Sequence, residues 1–160
     1  MLIIVLASWG CRINYSFTGG TIPADVRTFS VKNFQNRGAT CSPTLVYTFR
    51  DGLQDKIQSQ TSLKLVNSNA DVTFEGEITN CWVSPQAIQG DFQAAMNRYT
   101  ITVSVKYTSE NHPDDNFEAS FSRYEDFESS QNFRDVEDQL VESIVDQIME
   151  DIFNKAFVNW

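Results

Sequence analysis

The 160-residue chain has one histidine, His112, three cysteines and four prolines. A single imidazole excludes His-rich metal sites and leaves any Ser-His-Asp arrangement dependent on His112 alone. Positive charge is scarce too: 12 Lys and Arg stand against 21 Asp and Glu, for a net charge of −9. Binding to phosphates is driven by Lys and Arg, so a general affinity for nucleic acid or an anionic membrane surface is excluded. No run approaches the roughly 18 apolar residues of a membrane-spanning helix. The chain also lacks a P-loop, a G-x-G-x-x-G turn, a G-x-S-x-G elbow and a C-x-x-C pair, so no catalytic residue and no cofactor is expected. His112-Pro113-Asp114-Asp115-Asn116 lacks the spacing and glycine of a calcium loop and reads as a solvated turn, with no metal expected. The acids of Tyr124-Glu125-Asp126-Phe127-Glu128 and of the last helix read as solvated for the same lack of converging partners.

What is present is core material. The chain holds 12 Phe, 5 Tyr and 3 Trp and is 41% apolar. That composition argues against disorder, and the length suits one domain that needs no staple to bury a core.

The start is different in kind. Met1 to Leu6 is a short apolar run, followed by Ala7-Ser8-Trp9-Gly10-Cys11. An apolar run, small residues and a Gly-Cys junction look like a lipoprotein signal, with Cys11 as the acylated residue. No Lys or Arg precedes the run, as expected of a start lying downstream of the true one. Residues 1–10 thus read as a signal peptide, 11–24 as a lipidated tether and 25–160 as one folded domain. The alternative for the start is a buried strand with an incidental Cys11. In an exported chain a disulfide between Cys41 and Cys81 is permitted. Two free buried thiols are the plainer reading, and both stay open.

Along the domain, Val26 to Phe34 reads as a first strand. Ser42-Pro43 supplies a cap and first-turn residue for a helix whose Leu45, Val46, Phe49, Leu53 and Ile57 form one stripe, ending near Ser59. Ser62 to Asn67 and Val72 to Thr79 read as a hairpin joined at Ser68-Asn69-Ala70-Asp71. Pro85 to Ala95 interrupts. Tyr99, Ile101, Val103, Val105 and Tyr107 alternate with polar residues, and Phe117, Ala119 and Phe121 do so again, which is the period of half-buried strands. A long helix over 133–157 carries Val136, Leu140, Ile144, Ile148 and Ile152 in one row. The order β-α-β-β-β-β-α implies an α+β fold: a small antiparallel or mixed sheet with two helices packed on one face.

The other face is rich in Ser and Thr. Lys64, Arg98, Lys106 and Arg123 fall in strands or at strand ends there, interleaved with Glu75, Glu77 and Glu118. These four are the candidate residues for a phosphorylated ligand or a partner. The competing reading is cross-strand ion pairing worth tenths of a kcal/mol per pair.

Several segments in order carry a resemblance. They are Cys11 with Tyr15-Ser16-Phe17-Thr18-Gly19, Pro43-Thr44-Leu45, Phe74-Glu75-Gly76-Glu77-Ile78, Ser84-Pro85-Gln86-Ala87-Ile88, Phe121-Ser122-Arg123-Tyr124, and the acidic last helix ending Asp151-Ile152-Phe153-Asn154-Lys155-Ala156-Phe157. Together they resemble the LptE family, lipopolysaccharide-assembly lipoproteins of Gram-negative outer membranes. The resemblance implies a periplasm-facing protein held in the outer membrane by its lipid. It implies that the protein plugs the lumen of the β-barrel LptD and has no enzymatic activity. Direct binding of lipopolysaccharide is the weaker expectation, because that ligand is anionic and the chain carries −9. A lipid-anchored periplasmic module for a small or lipidic ligand is the alternative, and it predicts a closed apolar pocket between sheet and helices.

Overall fold

A computed structural model describes residues 22–86 and 95–158. Cys11, and with it the expected signal peptide at residues 1–10 and the start of the expected tether, lie outside the described residues. The elements are β1 (Thr28–Val31), β2 (Gln35–Asn36), α1 (Leu45–Gln60), β3 (Lys64–Leu65), β4 (Val72–Gln86), β5 (Met96–Ser109), β6 (Phe117–Glu128) and α2 (Phe133–Phe157), with a 3₁₀ turn at Pro113–Asp115 before β6. The expected α+β class is correct: a mixed six-stranded open sheet with two helices.

Strand order is β3-β1-β4-β5-β6, with β2 pairing β4 beyond the end of β1. β1 runs parallel to both β3 and β4, whereas β4, β5 and β6 form an antiparallel meander. The expected hairpin of 62–67 with 72–79 is therefore not formed; β1 lies between them. The cause is Asp71. Its carboxylate accepts the backbone N–H of Arg27 and of Thr28 and the Thr28 hydroxyl, each at 2.8 Å. Those bonds seat the start of β4 against β1, and β3 takes the free edge of β1 through Lys64 N–H to Arg27 and Val66 N–H to Phe29. The three donors hold the Asp71 carboxyl below its ordinary 3.8.

Two further differences are local. α1 begins at Leu45 rather than at Ser42-Pro43, with Thr44 in the cap position; the Ser42 hydroxyl meets Thr44 Oγ1 at 2.8 Å and caps no backbone N–H. β4 continues through Pro85. Proline is tolerated there because β1 and β2 pair only as far as Ile78, leaving that edge of β4 without a ladder to serve.

The core lies between sheet and helices. α1 contributes Leu45, Phe49, Leu53 and Ile57, and α2 contributes Leu140, Ile144, Ile148, Ile152 and Phe153, against Phe29, Phe74, Ile78, Ile101, Val103 and Val105. Burying each such side chain is worth about 1.5–3 kcal/mol, so either helix is docked firmly by its stripe. At Gly76 the packing leaves no room for a side chain. Phe34 lies over it, so near that a Cβ at this position would sit 2.2 Å from Phe34 Cε1. Phe34 in turn stacks on Phe49 of α1 at 5.8 Å. Burial pushes the Tyr99 and Tyr107 hydroxyls up to about 12, so both rings stay neutral members of the core.

β4 changes phase midway. A bulge at Thr79 shifts the register between Ile78 and Asn80, and the Thr79 hydroxyl donates to Thr102 O at 3.1 Å. Before the bulge Val72, Phe74 and Ile78 face the helices; after it Cys81 does, at 1% exposure. Cys81 is thereby turned to Cys41, and the two form a disulfide with Cα atoms 5.2 Å apart. Of the two readings left open by the sequence, the disulfide is the correct one.

Candidate functional site

The helices cover one face of the sheet, and the register defines the other. Thr73, Glu75, Glu77, Trp82 and Ser84 of β4 face outward, opposite Thr108, Lys106, Ser104, Thr100 and Arg98 of β5. Glu118, Ser120, Ser122, Tyr124 and Asp126 of β6 complete the rows. Hydroxyls dominate this surface, and some pair across strands, as Ser30 with Thr73 and Thr102 with Ser122, each at 3.0 Å.

The four candidate cations do not form one patch. Arg98 and Lys106 lie on the open face but eight residues apart on β5, about 26 Å at the rise of a strand. Arg98 makes a bidentate pair with Asp126 at 2.7 and 2.8 Å. Its guanidinium also lies over the Tyr124 ring, 3.5 Å from the centroid. The pair raises the Arg98 pKa and lowers that of Asp126, chiefly through their shared hydrogen bonds. Lys106 stands between Glu75 and Glu118 in the register, and Glu75 also pairs with Lys32. The Lys32 hydrogen bond is the main cause that lowers the Glu75 pKa, with a smaller contribution from Lys106. Lys32, Lys106, Glu75, Glu77, Glu118 and Ser104 line an open cavity of about 310 Å³ on this face.

Lys64 is remote from these residues, on the opposite edge strand. It lines a groove of about 470 Å³ with Ile22, Pro23, Val26 and Arg27, where the described chain begins. Arg123 is not on the open face at all. Its register places it opposite Ile101, on the helix side. There it makes a bidentate pair with Asp151 of α2 at 2.6 and 2.7 Å. Its neighbour on that face, Glu125, accepts from Ser143 and Gln147 of α2 at 2.7 and 2.6 Å. These acids, which read as solvated from the sequence, fasten the last strand to the last helix.

On the open face Arg98, Lys106 and Lys32 are each set beside an acid. Among the described residues, no group of three or more His, Cys, Asp or Glu could hold a metal ion. His112 pairs with Asp25 at 3.0 Å, joining the β5–β6 turn to the segment before β1.

The LptE family model, described as lipopolysaccharide-assembly, matches residues 26–156. The chain belongs to the LptE family. The matched span takes in the six described strands, α1 and all but the last residue of α2 in this LptE chain. No curated protein sequence matches it. Among solved structures, a minor lipoprotein from Acinetobacter baumannii is similar at 11% identity and a TM-score of 0.53, covering 83% of this chain and 97% of that one. PelC from Paraburkholderia phytofirmans, a dodecamer, is similar at 10% identity and a TM-score of 0.54, covering 88% and 96%. At such identities the likeness is one of fold.

Sequence reasoning missed one feature of the open face in this LptE protein. Trp82 lies opposite Thr100, and Thr100 opposite Tyr124. The two aromatics are 39% and 48% exposed, while Thr100 between them is 7% exposed on a face that neither of the described helices covers. For Tyr124 the signal was the period of two in β6, had it been carried past Ser122; strict alternation in β4 sends Trp82 to the helix face, and only the bulge at Thr79 returns it to the open one.

Proposed function

We propose that this LptE-family chain is lipidated at Cys11, held in the outer membrane facing the periplasm, and bound inside an LptD-type β-barrel as its plug during lipopolysaccharide assembly. The family match over both layers of the fold carries the reading. The open face supports it physically. A surface enclosed by a barrel wall loses water, and a lone charge there costs several kcal/mol. Here Arg98 enters with Asp126, and Lys32 with Glu75. Hydroxyls supply the remaining polarity and can bond to a barrel lining.

Direct lipopolysaccharide binding is the lesser role in this reading, because the Arg98 charge is already met by the bidentate pair with Asp126. A ligand pocket between sheet and helices is not favoured either, since Phe29, Phe49, Phe74, Phe153 and Phe157 fill that space.

The test is a co-purification from outer membranes in mild detergent through a C-terminal tag. A single large β-barrel in stoichiometric amount, stable to salt, is the expected result. Recovery of the lipoprotein alone, while other barrel complexes survive the same detergent, would overturn the plug reading. Mass spectrometry of the membrane-extracted chain should find a diacylated or triacylated Cys11 at its start.

A further inference from the structure

The two edges of the sheet are built differently. On one side the boundary is broken into short pieces: β3 and β2 have two residues each and β1 has four. Short strands are a common protection against pairing with other chains. On the other side is β6, with 12 residues, no proline and an uninterrupted register from Phe117 opposite Tyr107 to Glu128 opposite Met96. Among the described residues, no strand lies outside it. About half of its N–H and C=O groups therefore point away from β5 with no ladder partner.

The inward-pointing charges do not defend this edge. Arg123 and Glu125 point inward, a common device for repelling a new strand. Here Asp151 satisfies Arg123, and Ser143 and Gln147 satisfy Glu125, all from α2. The core also runs out to the edge unfinished. Phe117 and Phe121 face the helix side of β6, yet both are only partly buried at the margin of the core. Outward-facing residues of the same strand include Glu118, Asp126 and Glu128, with no base among them.

We infer that β6 is a docking edge for an extended segment of a partner protein that alternates apolar with basic residues. Added beside β6, such a segment completes the ladder. Its apolar row extends the core past Phe117 and Phe121, and its basic row faces Glu118 and Glu128. A second copy of this chain fits poorly. Antiparallel pairing of β6 with itself about Ser122 sets Glu118 against Asp126, and about Arg123 it sets Glu118 against Glu128. Like charges directly opposite are destabilising. The inference concerns the edge alone and does not depend on the barrel as partner.

The test uses the full chain and a synthetic peptide of about ten residues that alternates valine with lysine, a typical strand length. Amide hydrogen exchange should slow by about tenfold or more at alternate residues of β6 and at no other strand edge. The same peptide N-methylated along one backbone edge keeps its side chains but loses its donors, and should give no protection. Glu118→Lys with Glu128→Lys should weaken binding while the fold, checked by circular dichroism, is kept. Three outcomes would overturn the inference: equal binding of the N-methylated peptide, protection elsewhere, or β6 amides already protected in the chain without peptide. A dimer that protects β6 would replace the partner with a second copy.

Discussion

Removing the Cys41–Cys81 disulfide tests the fold most directly. The bond closes a separation of 40 residues that contains all of α1, β3 and the start of β4. In the chain-entropy account, a loop of that size confines the unfolded chain by about 4 kcal/mol at 25 °C. Domains of this kind have only about 5–15 kcal/mol of stability in total. For a chain of this length each kcal/mol moves Tm by about 2–4 °C, so the loss should be about 8–16 °C. The assay is urea unfolding of the oxidised chain, the dithiothreitol-reduced chain and the Cys41→Ala, Cys81→Ala double variant. Reduction keeps both buried sulfurs, so it isolates the tether from packing. The unfolded state without the link also exposes more surface, so the m-value should rise. A loss below about 1 kcal/mol in both the reduced and the Ala chain, with m unchanged, would refute the idea that the bond acts by confining the unfolded chain.

Gly76→Ala should cost about 1–3 kcal/mol, as overpacking does, because Phe34 would have to leave its stack on Phe49; differential scanning calorimetry would read it as a lower Tm. Asp71 has a depressed pKa, so its contribution is complete above the ordinary 3.8 and is lost as pH falls through the lower folded value. Asp71→Asn should therefore flatten the acid limb of a stability–pH profile, and an unchanged limb would show that this carboxylate does not clamp β1 to β4. Arg98→Glu with Lys106→Glu places two acids beside Asp126 and Glu75 and should reduce recovery of the barrel complex in the co-purification; undiminished recovery would remove the open face from the interface.

Elements with strong periodicity were legible in the sequence. α2 over Phe133–Phe157 and the half-buried β5 follow from spacing alone, because each buries one side of a long run. Pairing was less so. The place of β1 between β3 and β4 depends on Asp71 reaching back over 43 and 44 residues, which no local pattern encodes. The disulfide was undecided for a similar reason: strict alternation from Ile78 sends residue 81 to the open face, and only the bulge at Thr79 returns it. Among the candidate cations, Arg98 and Lys106 were read onto the right face. Arg123 was displaced by the true length of β6, whose alternation turns it toward Asp151. Neighbourhood along the chain identified the charged residues, but which of them share a surface required the register.

The distribution of charge also gives the molecule a direction. The bases of the open face are set among acids of adjacent strands, whereas α2 carries Asp135, Glu137, Asp138, Glu142, Asp146, Glu150 and Asp151 against only Arg134 and Lys155. Much of the net −9 is therefore concentrated in one layer. Near an anionic surface such a body experiences a torque as well as a repulsion, over the roughly 8–10 Å that salt leaves unscreened. The helical layer turns outward and the near-neutral strands turn toward the surface, so orientation is set by electrostatics before any contact is made.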